Sequence, residues 1–285
     1  MKFIEPQKFL RKLELTEYPQ PDLIDVRYPV LLCHGYGGLA GLIRPSPLHA
    51  PCMAMRSYGI HAFAPNIVPY AKISTRAEQW VEKIKHLQQM YGYEKFNVIG
   101  HSMGGLDMRY AISNLGVADR IASLTTIATP HQGTSLAELV LTTPELLRDK
   151  LGEVFDWFGE SIFPHAKSNA LEAVQQLTRN YVQNEFNANN PDAPGVHYFS
   201  ISAAVGKGTS HPLNTIYRFQ NLHIFSEEGI NDSFVSVESS KWGTHLQTAP
   251  LSHMEQLDLQ VSKERKKYVE HFWLDVAYNL SESNL

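Results

Sequence analysis

Gly100-His101-Ser102-Met103-Gly104 fits the pattern G-x-S-x-G. A serine hydroxyl is a poor nucleophile until an imidazole takes its proton, and the imidazole needs a carboxylate to fix its tautomer. The pentapeptide alone is moderately specific, and its setting sharpens it. Phe96-Asn97-Val98-Ile99-Gly100 has the apolar character of a buried strand, and Met103 to about Leu115 reads as a helix. A serine on a tight strand-to-helix turn stands exposed at the strand end, and the flanking glycines leave room for the backbone around it. The helix N-terminus beneath it favours negative charge, as a tetrahedral oxyanion requires. A capping serine at a glycine-rich helix start is the plainer alternative.

Three further groups are required. The loop His34-Gly35-Tyr36-Gly37-Gly38 follows the strand-like run Tyr28 to Cys33, where an elbow of this type takes its second oxyanion donor. The expected donors are the backbone N–H groups of Tyr36 and Met103, so position matters more than the tyrosine. His34 precedes the nucleophile, against the Ser, acid, His order of such folds, and reads as a structural histidine supporting the loop. The acids in range after Ser102 are Glu227, Glu228, Asp232 and Glu238. Asp232 is preferred, because Gly229-Ile230-Asn231-Asp232-Ser233 is a turn-like stretch able to present a carboxylate at a strand end. The bases in range are His245, His253 and His271. His271 stands beside Phe272 and Trp273 in an amphipathic terminal helix. His253 lies in the loop Pro250-Leu251-Ser252-His253-Met254, after a strand over His245 to Thr248, and is preferred, with His245 next.

These groups need a scaffold. Strand-like and helix-like patterns alternate along the chain, the signature of an α/β sheet with crossover helices. Strands are expected at Tyr28 to Cys33, Ile60 to Val68, Phe96 to Gly100, Ile121 to Thr129 and Tyr198 to Ala204. Thr75 to Tyr91 reads as a helix opened by a capping box of Thr75 and Glu78, with Trp80, Ile84, Leu87 and Tyr91 on one face. Roughly 65 residues separate the last two strands, far more than a crossover needs. There Thr143-Pro144 reads as an N-cap and first helical position, and Ser168 opens another helix with Leu171, Val174, Leu177 and Tyr181 on one face. The expected organisation is a single domain, 1–285, with a helical insertion at about 139–190. Phe155, Trp157 and Phe158 give the first inserted helix more apolar surface than one buried face uses. The insertion is therefore expected to be a lid that also forms the acyl-binding wall; a fixed cap packed on the core is the alternative.

With these segments in view, the chain resembles the bacterial true lipases and their fungal triacylglycerol-lipase relatives. The likeness is carried by Tyr28-Pro29-Val30 through Gly38, by Asn97 through Gly105 with Arg109-Tyr110, by Thr125 through Thr129-Pro130-His131-Gln132-Gly133, and by Asn231-Asp232 through Trp242-Gly243 to His253. The resemblance implies an α/β-hydrolase fold with a mostly parallel central sheet. It implies Ser102, Asp232 and His253 as the triad, and hydrolysis of carboxylic esters, triacylglycerols or shorter ones, with no cofactor. Many bacterial members hold a structural calcium near the catalytic histidine, through one acid just after it and another upstream. Glu255 and Asp258 follow His253, but Val205 to Gln220 contains no Asp or Glu, so calcium is the less expected outcome. Where those proteins often read Asn-Asp-Gly, this chain has Ser233, a change expected to matter little.

Composition bounds the remaining choices. The 285-residue chain is 43% hydrophobic and 19% charged, with a net charge of −4. That supports a large core and excludes a disordered chain or a coiled coil. No Lys/Arg block offers a nucleic-acid face, since the run Lys263 to Lys267 carries its own Glu264. No apolar run approaches the ~18 residues of a membrane span, so contact with a lipid interface is expected to be transient. No signal peptide is visible at the start, which predicts a cytoplasmic protein, or a secreted one if a leader has been removed. Cys33 and Cys52 fit neither a disulfide framework nor a zinc site, and Cys33 reads as core. The rival functions are a short-chain carboxylesterase or polyester hydrolase with the same machinery, an acyltransferase in which an alcohol replaces water, and a non-catalytic binding module.

Overall fold

In the computed structural model, which describes residues 23–37, 45–143, 167–259 and 261–285, a parallel sheet runs in the order β2-β1-β3-β4-β5-β6. Its strands are β1 Val30–Cys33, β2 Ala62–Phe63, β3 Phe96–His101, β4 Ile121–Ile127, β5 His197–Ala203 and β6 Thr244–Ala249. The helices that matter here are α1 His49–Ser57, α2 Ile73–Tyr91, α3 Met103–Asn114, α4 Ser135–Thr142, α5 Lys167–Gln175, α6 Arg218–Glu228 and α7 Lys263–Glu282. Every residue of β1, β3 and β4 is buried, as near-continuous apolar runs demand of strands covered on both faces. Side chains alternate across the sheet. Val30 and Leu32 join a core with Phe272, Trp273 and Leu280 of α7, while Leu31 and Cys33 pack with Trp80 and Ile84 of α2.

The sheet order reverses at β1, which has β2 on one side and β3 on the other. Open α/β sheets bind ligands at such a switch point, beyond the strands' carboxyl ends. Here the two carboxyl ends deliver His34 through Tyr36 from β1 and Ser102 from β3.

Several local expectations need correction. The second strand is short, because Pro65 cannot donate to the ladder. The helix expected from Thr75 begins at Ile73 with Lys72 as N-cap, and no capping box forms. Its Ile73 N–H is taken instead by Gln176 Oε1 at 2.7 Å, a partner supplied by the insertion. Trp80, Ile84 and Leu87 share the buried face, but Tyr91 is exposed and stacks on Tyr93. Thr143 is the C-cap of α4, its hydroxyl donating to Leu139 O at 2.6 Å, while Pro144 lies outside the described residues. In α5, Leu171 is exposed and Val174 buried, and Leu177 lies beyond the helix end.

The described part of the insertion is tied down. Thr134 N–H donates to Leu177 O at 2.9 Å. Arg179 forks onto Glu138, with its shorter bond at 2.6 Å. Arg109 of α3 reaches Asn187 Oδ1 at 2.9 Å and Asn190 O at 3.1 Å. Phe155, Trp157 and Phe158, expected to line the acyl site, lie outside the described residues. No helix among the described residues is long and apolar enough to cross a membrane.

Candidate active site

Ser102 sits between β3 and α3 with φ 55° and ψ −133°. A positive φ on a non-glycine residue is strained, and the surroundings must hold it. Ser102 N–H donates to Ile127 O at 2.9 Å, and the Ser102 carbonyl accepts from Thr129 Oγ1 at 2.7 Å and Gly105 N–H at 3.1 Å. The glycines are there for space. A Cβ on Gly104 would run into the Cys33 carbonyl, and one on Gly35 would lie 2.6 Å from the Ser102 Cβ and 3.0 Å from the Met103 nitrogen. The loop after β1 is thus packed directly against the elbow. Tyr36 is buried there, its hydroxyl donating to Ala170 O at 3.2 Å and its ring meeting Tyr70 edge-on.

A buried ion pair underpins this loop. Arg76 donates through Nη2 to His34 O at 2.6 Å, through Nη1 to Val68 O at 2.9 Å, and through Nε to Asp107 Oδ2 at 2.9 Å. Burial pushes the Asp107 carboxyl up to about 6, against the pull of Arg76. His34 accepts Ile67 N–H at Nε2 and lies by the Gly35 carbonyl at Nδ1, supporting the loop as expected. Burial, with Arg76 nearby, pushes its imidazole down to about 3. Neither Arg76 nor Asp107 was singled out from sequence. The available signal was Arg76 sharing a helical face with Trp80 and Ile84.

Asp232 is fully buried in the turn after α6. Its Oδ1 accepts from Phe234 N–H at 2.9 Å and Val235 N–H at 2.8 Å; its Oδ2 accepts from His253 Nδ1 at 2.7 Å and Gln256 Nε2 at 3.1 Å. The His253 ring centroid lies 4.7 Å from that of His101, the residue before Ser102. The other candidates are occupied elsewhere. Glu228 accepts from Ser135 N–H and Ser236 Oγ, Glu227 pairs with Arg179, and Glu238 pairs with Lys241. His245 is on β6 at 3.3 Å from Ser200 Oγ, and His271 is exposed on α7.

Ser233 matters more than its sequence context suggested. Its φ is 88°, a left-handed value that favours glycine, and its buried hydroxyl finds no hydrogen-bond partner among the described residues. The Thr-Pro-His and Trp242 segments also meet. His131 stacks on Trp242, and the Arg109 guanidinium lies 3.5 Å from the centre of the Trp242 ring.

Glu255, the first acid after His253, is taken up by protein donors. Glu255 Oε1 accepts from Arg265 Nε at 2.8 Å and its Oε2 from Ser252 N–H at 2.8 Å, while Arg265 Nη2 donates to Pro250 O at 2.6 Å. A guanidinium stands against the carboxylate, and among the described residues no group of three or more His, Cys, Asp or Glu could hold a metal.

The profile of the alpha/beta hydrolase fold matches residues 28–201. The chain is 27% identical to a triacylglycerol lipase of Pseudomonas fragi, over 93% of this chain and 99% of that protein. It is 30% identical to triacylglycerol lipase 2 of Saccharomyces cerevisiae over 72% of its own length, spanning 59% of the yeast protein. Among solved structures it superposes on a metagenomic carboxyl esterase with a TM-score of 0.71 at 20% identity, over 95% of this chain and 80% of that one. For the mature form of a Bacillus licheniformis lipase the TM-score is 0.65 at 18% identity, over 91% and 95%. The chain belongs to the alpha/beta hydrolase fold family, with triacylglycerol lipases among its sequence relatives.

Proposed function

We propose that this protein is a serine hydrolase of carboxylic esters, acting as a lipase on triacylglycerols or their shorter analogues through an acyl-enzyme. Ser102 Oγ attacks the ester carbonyl carbon while His253 Nε2 takes its proton, and Asp232 holds the imidazole in the Nδ1–H tautomer. The Tyr36 and Met103 N–H groups receive the oxyanion. As the tetrahedral state collapses, His253 returns the proton to the leaving alcohol. Water, deprotonated by the same imidazole, then frees the acid.

The observation that carries this reading is the 2.7 Å pair of Asp232 Oδ2 and His253 Nδ1, buried at the sheet edge where the strained Ser102 turn lies. The lipid-like substrate is favoured by the similarity to triacylglycerol lipases over 93% and 72% of this chain, while Tyr36, Met103, Val174, Leu177, Phe234 and Val235 form a buried apolar core that holds the site's loops. Its rival, a short-chain esterase, shares every catalytic residue. The test is hydrolysis of a p-nitrophenyl ester series and of emulsified triolein by wild type and Ser102→Ala, with fluorophosphonate labelling. The expected result is labelling of Ser102, a kcat fall on the order of 10⁴-fold or more in the variant, and activity that persists on long chains. Near-normal activity of folded Ser102→Ala would remove the reading. Activity on acetate and butyrate alone would assign the esterase.

A further inference from the structure

Gln256 is fully buried and touches the site at two points. Its Nε2 lies 3.1 Å from Asp232 Oδ2, and its Oε1 lies 3.0 Å from His101 Nε2. Its backbone is fixed as well, since the Gln256 carbonyl accepts from Trp273 Nε1 of α7 at 2.9 Å and its N–H donates to Ser252 O at 3.2 Å. The amide cannot be turned round. A carboxylate only accepts, so the end facing Asp232 must be the NH₂ group and the end facing His101 must be the oxygen. His101 must then carry its proton on Nε2.

We propose that Gln256 is a positioning residue that locks the elbow to the acid, through a directed path from His101 Nε2–H to Gln256 Oε1 and from Gln256 NH₂ to Asp232 Oδ2. The inference rests on the triad assigned above. Its consequence is mechanical and electrostatic. When His253 becomes an imidazolium during attack, its attraction for Asp232 rises. The carboxylate is held against that pull by the amide on Oδ2 and by the Phe234 and Val235 N–H groups on Oδ1. Since His101 is covalently joined to Ser102, the same amide, 155 residues from His101 in sequence, sets the nucleophile's turn relative to the acid. Burial, and then the nearby His253, pushes the His101 imidazole well below its ordinary range, which keeps it a neutral donor.

The test uses Gln256→Met, which keeps the volume and removes both hydrogen bonds, and Gln256→Glu, which sets a second carboxylate beside Asp232. Among the described residues, the ionisable groups around His253 include Asp232 in the acid turn, His101 in the elbow, and Glu255 with Arg265 at its own loop. With one donor fewer, Asp232 holds the imidazolium more tightly, so the acidic limb of kcat/KM should move up by about half a pH unit in Gln256→Met and further in Gln256→Glu. The kcat of Gln256→Met should fall roughly tenfold with KM little changed, the scale of one hydrogen bond to a charged group. A purely structural glutamine would lower the melting temperature and leave the limb in place. In wild type, nitrogen NMR of the histidine rings should find His101 protonated at Nε2 and neutral from pH 5 to 9, a readout that needs no catalysis and no variant. An unmoved limb and kcat in folded Gln256→Met, or a His101 protonated at Nδ1, overturns the proposal. Should Ser102→Ala be inactive in that event, the hydrolase reading stands without it.

Discussion

Asp232 and His253 are joined twice: through the side chains at 2.7 Å, and through the backbone, where His253 N–H donates to the Asp232 carbonyl at 3.0 Å. The second bond fixes the two loops in register whatever the carboxylate does. Asp232→Asn should therefore fold and keep its geometry, yet lose on the order of 10⁴-fold in kcat, because the wrong imidazole tautomer is favoured. His253→Ala should be inactive. His245→Ala and His271→Ala should keep most activity, since His245 lies against Ser200 on β6 and His271 is exposed on α7. Steady-state kinetics with circular dichroism checks all four; a dead His245→Ala would move the base to β6.

Ser233→Gly should stabilise the protein. It removes a left-handed strain and a buried hydroxyl without a partner. Strain of this kind costs on the order of 1–3 kcal/mol, part of which the greater freedom of glycine in the unfolded chain gives back. A net gain of about 1 kcal/mol would raise Tm by ~2–4 °C in a chain of this size. Calorimetry decides it, and a lowered Tm would show that the serine hydroxyl has a use.

Stability should fall as pH drops from 7 to 5. His34, His101 and His131 are held neutral, chiefly by burial, with folded-state values below the ordinary imidazole range. Below ~6.5 the unfolded chain takes up a proton at each while the folded chain does not, so stability is present above that pH and is lost below it. Asp107 acts oppositely, because its folded value of about 6 lies above the unfolded ~3.9, and between the two the folded state binds the extra proton. The lowered histidines outnumber the one raised carboxyl, so the net effect of acidification is a loss of stability. Urea unfolding at pH 7, 6 and 5 measures it, and equal stability at pH 5 and 7 would contradict the burial of these rings.

EDTA should leave both activity and Tm unchanged, because Arg265 stands where a cation would need Glu255. Arg265→Ala should instead lower Tm and slow the reaction by loosening the Pro250–His253 segment. A double-mutant cycle with Glu255→Gln should give a coupling on the order of 1 kcal/mol, as expected of a partly exposed pair. A Tm that falls with EDTA and returns with calcium would mean that ligands outside this pair complete a metal site.

The sequence by itself determined the strand-turn-helix unit at Ser102, though not every local feature, since the helix caps expected at Thr75 and Thr143 do not form as expected. The β3–Ser102–α3 turn is written in consecutive residues, as apolar strand, glycine, serine, glycine and helix, and so its conformation was legible before any contact was known. Asp232 and His253 were preferred as acid and base because each lies in a loop of the right order and composition, and the structure brings these two side chains together at 2.7 Å. The tertiary structure decided the partners. Gln256 meets His101 across 155 residues, Gln176 caps α2 across 103, and Arg76 meets Asp107 across 31. None of these pairs leaves a periodic or motif signature, because a buried polar side chain is placed by which neighbour satisfies its hydrogen bonds, and that neighbour is brought there by sheet order and helix packing. Ser233 is the sharpest case: its residue type is unremarkable in sequence, and only the positive φ forced by the turn that delivers Asp232 makes it costly.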